Sequence, residues 1–496
     1  MTVSFDQIPP GYRRPGTYIE LDPSLAQRGA QPFPLRGLIM AQRATGGTLG
    51  SFNDPTRITS VEQARAFAGP GSPGALMAEA WFEVNQTTEV DLCLVEDNPA
   101  ATASTATFTL SGTSAGGTLA VYVGGTRYAV SAVGTTTDIA ARVASAIAAD
   151  PNSPATAAVN GGNTSQVDFV SKVPGWSAGF WIVYHSLQAG ETKPVGLTIV
   201  ITNINGTGDP DVASEFGTAV ASWGDTQYDV IANQFHQQPQ LEAIAAEMET
   251  RDNALAGTAG FAFTCLTAST TSTLTTLGNA LNSRFLSVIG LRQFSGIAYK
   301  RAAAIAGLVA LHGTADPAQP FQTLQIPGNY TPEIPNNVRL TKTDRELLLH
   351  DGISTVNYDQ NDVPRIERLI TTYQTNAAGA ASSVYLDVNL GLLISYFRKA
   401  WTARVAERFP RHKLARDGGT PPAPGSKIVT PNSYKAEAVA FYAELVDKGI
   451  CEDEAGFAAN STFEINASDP NRMDVILAPD FMNQLRVNAT LIQFRL

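Results

Sequence analysis

Between residues 211 and 312 the chain alternates helical segments with short apolar runs: a helix to Ser222, a strand at 228–232, a helix at 240–251, a strand at 260–266, a helix at 272–282, a strand at 286–291 and a helix at 300–312. Consecutive strands separated by helices of this length are joined by right-handed crossovers, so the pattern predicts a parallel sheet. An opening to the same α/β core is legible upstream. Residues 35–41 read as a buried strand, 61–67 as a short helix behind a Ser60 cap, and 74–85 as a helix entering a strand at 90–95.

The alternation is interrupted after residue 100. The small-residue linker 100–106 leads into about a hundred residues rich in Thr, Gly and Val, with turn signals roughly every 8–12 residues. Strands are expected at 107–110, 118–123, 126–133, 166–170, 181–184 and 197–202, and a helix at 137–149; residues 203–210 close what reads as an insertion. The last third changes type, with a hairpin over 354–373 turning at 359–362, helical pattern over 386–409, a Pro-rich loop at 420–425, a helix at 434–448 and strands to the end. The expected fold class is α/β (α+β overall) and multidomain. It comprises an N-terminal arm (1–36), the first part of a core (37–99), an inserted β-rich domain (100–208), an α/β domain (209–350), a C-terminal core domain (351–480) and a C-terminal strand or arm (481–496).

Both ends read as arms. Pro9, Pro10 and Pro15 stiffen the first, Thr17, Ile19 and Leu21 alternate there with Tyr18, Glu20 and Asp22, and Pro23, Pro32 and Pro34 exclude regular continuation. At the other end Leu485, Val487, Ala489 and Leu491 are apolar at odd positions, whereas Ile492, Phe494 and Leu496 are apolar at even ones. A strand has period two, so the swap between Leu491 and Ile492 requires a bulge or a change of sheet. A terminal strand apolar on each face in turn seeks partners beyond its own fold; an ordinary last strand with one bulge is the plainer reading.

Chemistry is scarce. A chain of 496 residues can build several cores, and with 44% apolar and only 16% charged residues its surface suits burial against copies of itself. A formal charge of −11 argues against a nucleic-acid coat. Cys93, Cys265 and Cys451 form no CxxC pair and read as buried thiols, and five scattered histidines offer no metal-ligand spacing. No nucleophile elbow, P-loop or dinucleotide fingerprint is present, and Glu452 with Glu454, or Asp225 with Asp229, read as solvated surface. No catalytic residue, metal or cofactor is therefore expected. Residues 1–14 hold no apolar run that would make a secretory signal, and the apolar stretch 390–397 is far short of the roughly 18–20 residues that cross a bilayer, so a soluble cytosolic chain is expected. One basic segment, with Arg404, Arg408, Arg411, His412, Lys413 and Arg416, reads as a charged face meeting an acidic subunit rather than a polyanion site.

Several motifs in order carry a resemblance: PRIERLITTYQTN from Pro364, YLDVN from Tyr385, FPRHKL from Phe409, IVTP from Ile428, the ending from Asn471 to Leu496, and PGTYIE from Pro15. With these the chain resembles the tail sheath proteins of Mu-like contractile phages, from one end to the other, with only the insertion weakly characterised. It departs from the family pattern at 380–383, where an acidic residue or proline is expected, and at Gln360-Asn361, where glycine is usual.

The resemblance implies a structural subunit in the virion tail, assembled in the bacterial cytoplasm. Its partners would be further copies of itself in a helical polymer of stacked rings, the inner tail tube protein, and baseplate and tail terminator proteins, with no direct nucleic acid or membrane insertion. Contraction would drive the tube through the host envelope for genome delivery. Terminal strands of two subunits would add to the sheet of a third, through Tyr18, Ile19, Leu21, Leu491, Ile492, Phe494 and Leu496, with hinges at 23–34 and 469–480. Glu437, Glu444 and Asp447 mark a helix that would face the tube, with core packing of Ala438, Phe441, Tyr442 and Leu445 as its alternative. The sheath of a tailocin or other contractile injection particle fits equally. A glycan-binding tail or surface protein is a rival of another class, motivated by Trp176, Trp181 and Tyr184 in the insertion.

Overall fold

The alternation over 211–312 forms a parallel sheet in the computed structural model, which describes residues 33–49, 52–179, 181, 183–188, 190–328, 338–419 and 427–495. The chain opens with β1 (Gly37–Gln42), β2 (Thr56–Ile58), α1 (Val61–Ala68), α2 (Pro73–Val84) and β3 (Val90–Val95). Ser60 and Ser72 cap the two helices by accepting from Gln63 N and Ala75 N. The insertion follows as β4 (Ala103–Gly112), β5 (Thr118–Val123), β6 (Thr126–Ser131), α3 (Thr136–Ala148), β7 (Ala155–Val159), β8 (Gln166–Pro174), β9 (Val183–His185) and β10 (Leu197–Ile204). Its strands pair among themselves in two sheets, β10-β4-β8-β7 and β6-β5-β9, and form no ladder with the central sheet among the described residues.

The core resumes with α4 (Glu215–Ala221), β11 (Val230–Asn233), α5 (Gln238–Arg251), β12 (Phe261–Ala268), α6 (Thr271–Ala280), β13 (Leu286–Arg292), α7 (Ala298–Ala315), α8 (Lys342–His350), β14 (Ile353–Tyr358) and β15 (Pro364–Arg368). The central sheet runs β15-β14-β13-β12-β11-β1-β3-β2. It is parallel from β14 to β3, with antiparallel strands at both edges. All six residues of β1 and of β3 are buried, as expected of strands covered on both faces. The Ala-rich α7 packs closely against α2: a methyl on Gly307 would lie 2.6 Å from Val84 Cγ2.

The rest of the chain supplies α9 (Val388–Arg408), β16 (Lys413–Leu414), β17 (Ile428–Val429), α10 (Pro431–Asp447), β18 (Cys451–Glu452), α11 (Glu454–Asn460), β19 (Thr462–Ile465), β20 (Met473–Ile476) and β21 (Asp480–Phe481). The chain divides within α9: Ser395–Asn483 belong to a smaller unit, and Pro34–Ile394 with the chain from Gln484 onward to a larger one. The smaller unit has its own aromatic core, with Tyr442 stacked on Phe457 at 3.9 Å and Trp401 beside Phe441 at 5.4 Å.

Three features differ from the sequence reading. The hairpin placed with the C-terminal core extends the central sheet instead, because β14 pairs in parallel with β13 and Ser354 meets Ser287 at 2.9 Å. The expected hinge at 469–480 contains β20, which is held to β19 by a four-residue antiparallel register. The expected terminal strand makes no ladder over the described residues 482–495: Met482 N donates to Ile450 O and Leu485 O accepts from Gln322, but no strand pairing follows.

Candidate functional site

Two regions gather the residues singled out from sequence. At the C-terminal arm, Leu491, Ile492 and Phe494 are 82%, 79% and 80% exposed, and Leu485 and Val487 upstream are nearly as open. Single exposed aliphatic side chains are ordinary, but five large ones within the ten residues 485–494 are not. Tyr18, Ile19, Leu21 and Leu496 lie outside the described residues.

The arm leaves the larger unit from a built root. Arg368, at the end of β15, makes a bidentate pair with Asp387, Nε to Oδ1 and Nη2 to Oδ2, each 3.0 Å. Arg486 brings a second guanidinium to Asp387 Oδ1 at 3.2 Å, and its Nη2 also donates to Asn389 Oδ1 at 3.1 Å. Asn389 is buried, and its Nδ2 donates to the carbonyls of Pro317 and Gln319. On either side of the pair, Gln484 Nε2 donates to Ala318 O at 2.8 Å and Gln322 Nε2 to Leu485 O at 3.2 Å. Burial holds the Arg486 pKa below its ordinary value, with Asp387 opposing the shift and the neighbouring Arg368 adding to it. Sequence reasoning missed Arg368, Asp387 and Arg486, although all three lie inside the segments that carried the family resemblance.

In the smaller unit, two residue sets assigned separate roles prove to be partners. Arg404 Nε donates to Glu437 at 2.5 Å and its Nη2 to Glu444 at 3.0 Å, while Arg408 Nε donates to Glu437 at 3.1 Å. The spacing accounts for it: Arg404 and Arg408 are one turn apart on α9, and Glu437 and Glu444 two turns apart on α10, so each pair shares a face. Arg404 is thereby engaged within its own chain, whereas Arg411, Lys413 and Asp447 are exposed. The adjacent face of α10 packs inward through Ala438, Phe441, Tyr442 and Leu445. Tyr442 donates to Glu452 O at 2.6 Å and accepts from Asp480 N at 2.9 Å, which fixes the start of β21.

Cys93, Cys265 and Cys451 are free and buried, and burial pushes all three thiols up, Cys93 and Cys451 to about 12. No group of three or more potential metal ligands occurs among the described residues, and no described helix is long and apolar enough to cross a membrane. Of the insertion aromatics that motivated a glycan-binding reading, Trp181 is buried at 3% exposure, Tyr184 is half-buried, and Trp176 lies 4.4 Å from the His236 ring.

Residues 208–372 match a family model described as the phage tail sheath protein central domain. Over 500 aligned residues, covering the whole of both chains, the protein is 31% identical to the Mu-like prophage FluMu tail sheath protein of Haemophilus influenzae. Among solved structures, the sheath tail protein of Desulfitobacterium hafniense aligns at 13% identity and a TM-score of 0.46, covering 94% of this chain and all of that one. That of Listeria innocua aligns at 13% and 0.47, covering 92% and 97%. A chain of the anti-feeding prophage helical sheath in its contracted state aligns at 9% and 0.46, covering 97% and 98%. By its full-length identity to the Haemophilus protein, the chain belongs to the phage tail sheath family.

Proposed function

We propose that this chain is the repeating subunit of a contractile tail sheath, assembled in the bacterial cytoplasm as a helical homopolymer of stacked rings around an inner tail tube, between a baseplate and a tail terminator. Shortening of the polymer drives the tube through the host envelope for genome delivery. The observation that carries this reading is the C-terminal arm, which is anchored at Arg486 and then unladdered, with Val487, Leu491, Ile492 and Phe494 all exposed. Such a segment is completed by adding to the sheet edge of another copy, which supplies both backbone partners and a surface to cover its apolar side chains.

The acceptor this reading favours is the β19–β20 hairpin, a two-stranded sheet whose strands pair only with each other among the described residues and which leaves Ile476 65% exposed. An arm on each edge would turn it into a four-stranded sheet, the C-terminal one through Leu491, Ile492, Phe494 and Leu496 and the N-terminal one through Tyr18, Ile19 and Leu21. Ladder hydrogen bonds then hold neighbours together while subunit faces slide and exchange contacts. Asp447, exposed on α10, leads the proposed tube-facing set, with Glu437 and Glu444 behind it held by Arg404. Arg408, Arg411 and Lys413 remain the proposed basic inter-subunit face, with Arg404 supporting it from within through Glu437 and Glu444.

Deleting residues 492–496 tests the proposal, because the described residues 492–495 are exposed in the isolated subunit. The truncated chain should fold as a monomer and fail to polymerise; full-length striated tubes from it in negative-stain electron microscopy would refute the mesh.

A further inference from the structure

We propose that Arg486 is the positioning residue of the C-terminal arm: the Arg368–Asp387–Arg486 cluster fixes where and in which direction the arm leaves the subunit, and so sets the register in which subunits join. The inference rests on the sheath reading above and goes beyond it, since an arm could bind a neighbour without any fixed point of departure.

The residues at the root are organised for one another. Asp387 sits between two guanidiniums, bidentate to Arg368 at 3.0 Å and shared with Arg486 at 3.2 Å. Asn389 is 1% exposed and uses its amide nitrogen on Pro317 and Gln319, which orients its Oδ1 toward Arg486. The Arg486 side chain is itself only 12% exposed, whereas Val487, one residue on, is 79% exposed. Exposed and part-buried residues alternate up to Arg486, and every described residue after it, 487–495, is exposed. Asp387 is also tied to the hairpin by its bridge to Ile370, so the clamp stands on the edge of the central sheet rather than on a loose loop.

A fixed exit matters because the arm is short. Residues 487–495 span at most about 30 Å at roughly 3.3 Å per residue. Release of 484–486 would leave the chain next held at Asn483, which donates to Glu452 at 3.0 Å, and would add roughly 10 Å of slack. Slack lowers the effective concentration of the arm at its acceptor and removes the preorganisation that distinguishes one register from the next.

The test compares Arg486→Ala, Arg486→Lys and the wild-type chain, each with Asn488→Cys carrying a nitroxide label; the three native thiols are buried, so the label reports the arm. The readouts are monomer melting temperature, label mobility, critical concentration of tube formation and layer lines from tube images. The wild-type label should be restricted. Arg486→Ala should free it, leave the melting temperature within a few degrees, raise the critical concentration by about tenfold or more and blur the layer lines. Arg486→Lys, which keeps the charge but ends one bond short of the Nη2 that meets both Asp387 and Asn389, should fall between and covers the case in which the alanine variant misfolds. Wild-type critical concentration and layer lines from Arg486→Ala, or from Arg486→Lys if the alanine variant does not fold, would overturn the proposal, as would a wild-type label already free. If these variants assemble normally while deletion of 492–496 abolishes tubes, the root fails and the sheath reading stands.

Discussion

The parity of the C-terminal arm makes a quantitative demand on assembly. Consider two double variants, Val487→Ser with Leu491→Ser and Ile492→Ser with Phe494→Ser, each of which clears one face of the arm. All four side chains are 79–82% exposed in the free subunit, so their loss should shift the monomer by less than about 0.5 kcal/mol. In a junction, each buried aliphatic or aromatic side chain contributes roughly 1.5–3 kcal/mol, so a pair contributes about 3–6 kcal/mol. The orientational entropy lost on joining is the same for wild type and variant and cancels, leaving a factor of about 10²–10⁴ in the association constant of one junction. A pelleting assay gives the critical concentration directly, with thermal unfolding of the monomer as control. A regular strand lying on one acceptor face makes only one of the two variants severe; a bulge between Leu491 and Ile492 that turns each half toward an apolar surface makes both severe. If both variants polymerise within twofold of the wild-type concentration, the arm does not join subunits through its apolar faces.

Two further outcomes concern the body. His236 is buried beside Trp176, and burial pushes its imidazole down from 6.5 to about 3, so the folded chain keeps it neutral while the unfolded chain protonates as pH falls below 6.5. Stability is therefore lost from that point downward, by about 2 kcal/mol at about pH 5, and His236→Gln should flatten this part of the pH dependence in denaturant titrations. A methyl on Gly391, in α9, would lie 2.1 Å from Phe261 Cζ in β12, so Gly391→Ala should destabilise the larger unit by about 1–3 kcal/mol of overpacking, visible as a lower melting temperature.

The α/β rhythm was legible because buried parallel strands are unbroken apolar runs and their crossovers have a characteristic length. β7 was not, since Ala155, Thr156, Ala157 and Ala158 offer no apolar bulk to betray a strand. The arm announced itself through parity, a local property, but its root did not: Arg368, Asp387 and Arg486 are far apart in the chain, and an arginine carries no sign of which carboxylate it will meet. The partnership of Arg404 with Glu437 and Glu444 was hidden for the same reason. Each charge was visible, and only the packing of α9 beside α10 decides that they are spent on one another.

A parallel sheet ordinarily offers a ligand the crevice at its switch point, outside the carboxyl ends of strands whose connections run in opposite directions. Here that point lies between β1 and β11, and the root of the insertion fills it. Gln42 and Gln234 exchange hydrogen bonds at 2.8 and 2.7 Å, Gln42 also donates to Asp97 and Pro174, and Ser177 donates to Asp209 at 2.5 Å. Gln42, Gln234 and Ser177 are each at most 1% exposed. The polar groups at this crevice are engaged in joining the insertion to the sheet. That engagement suits a subunit whose neighbours pull on it: these bonds tie the insertion to the centre of the sheet, while Arg368 and Asp387 tie the root of the arm to its edge.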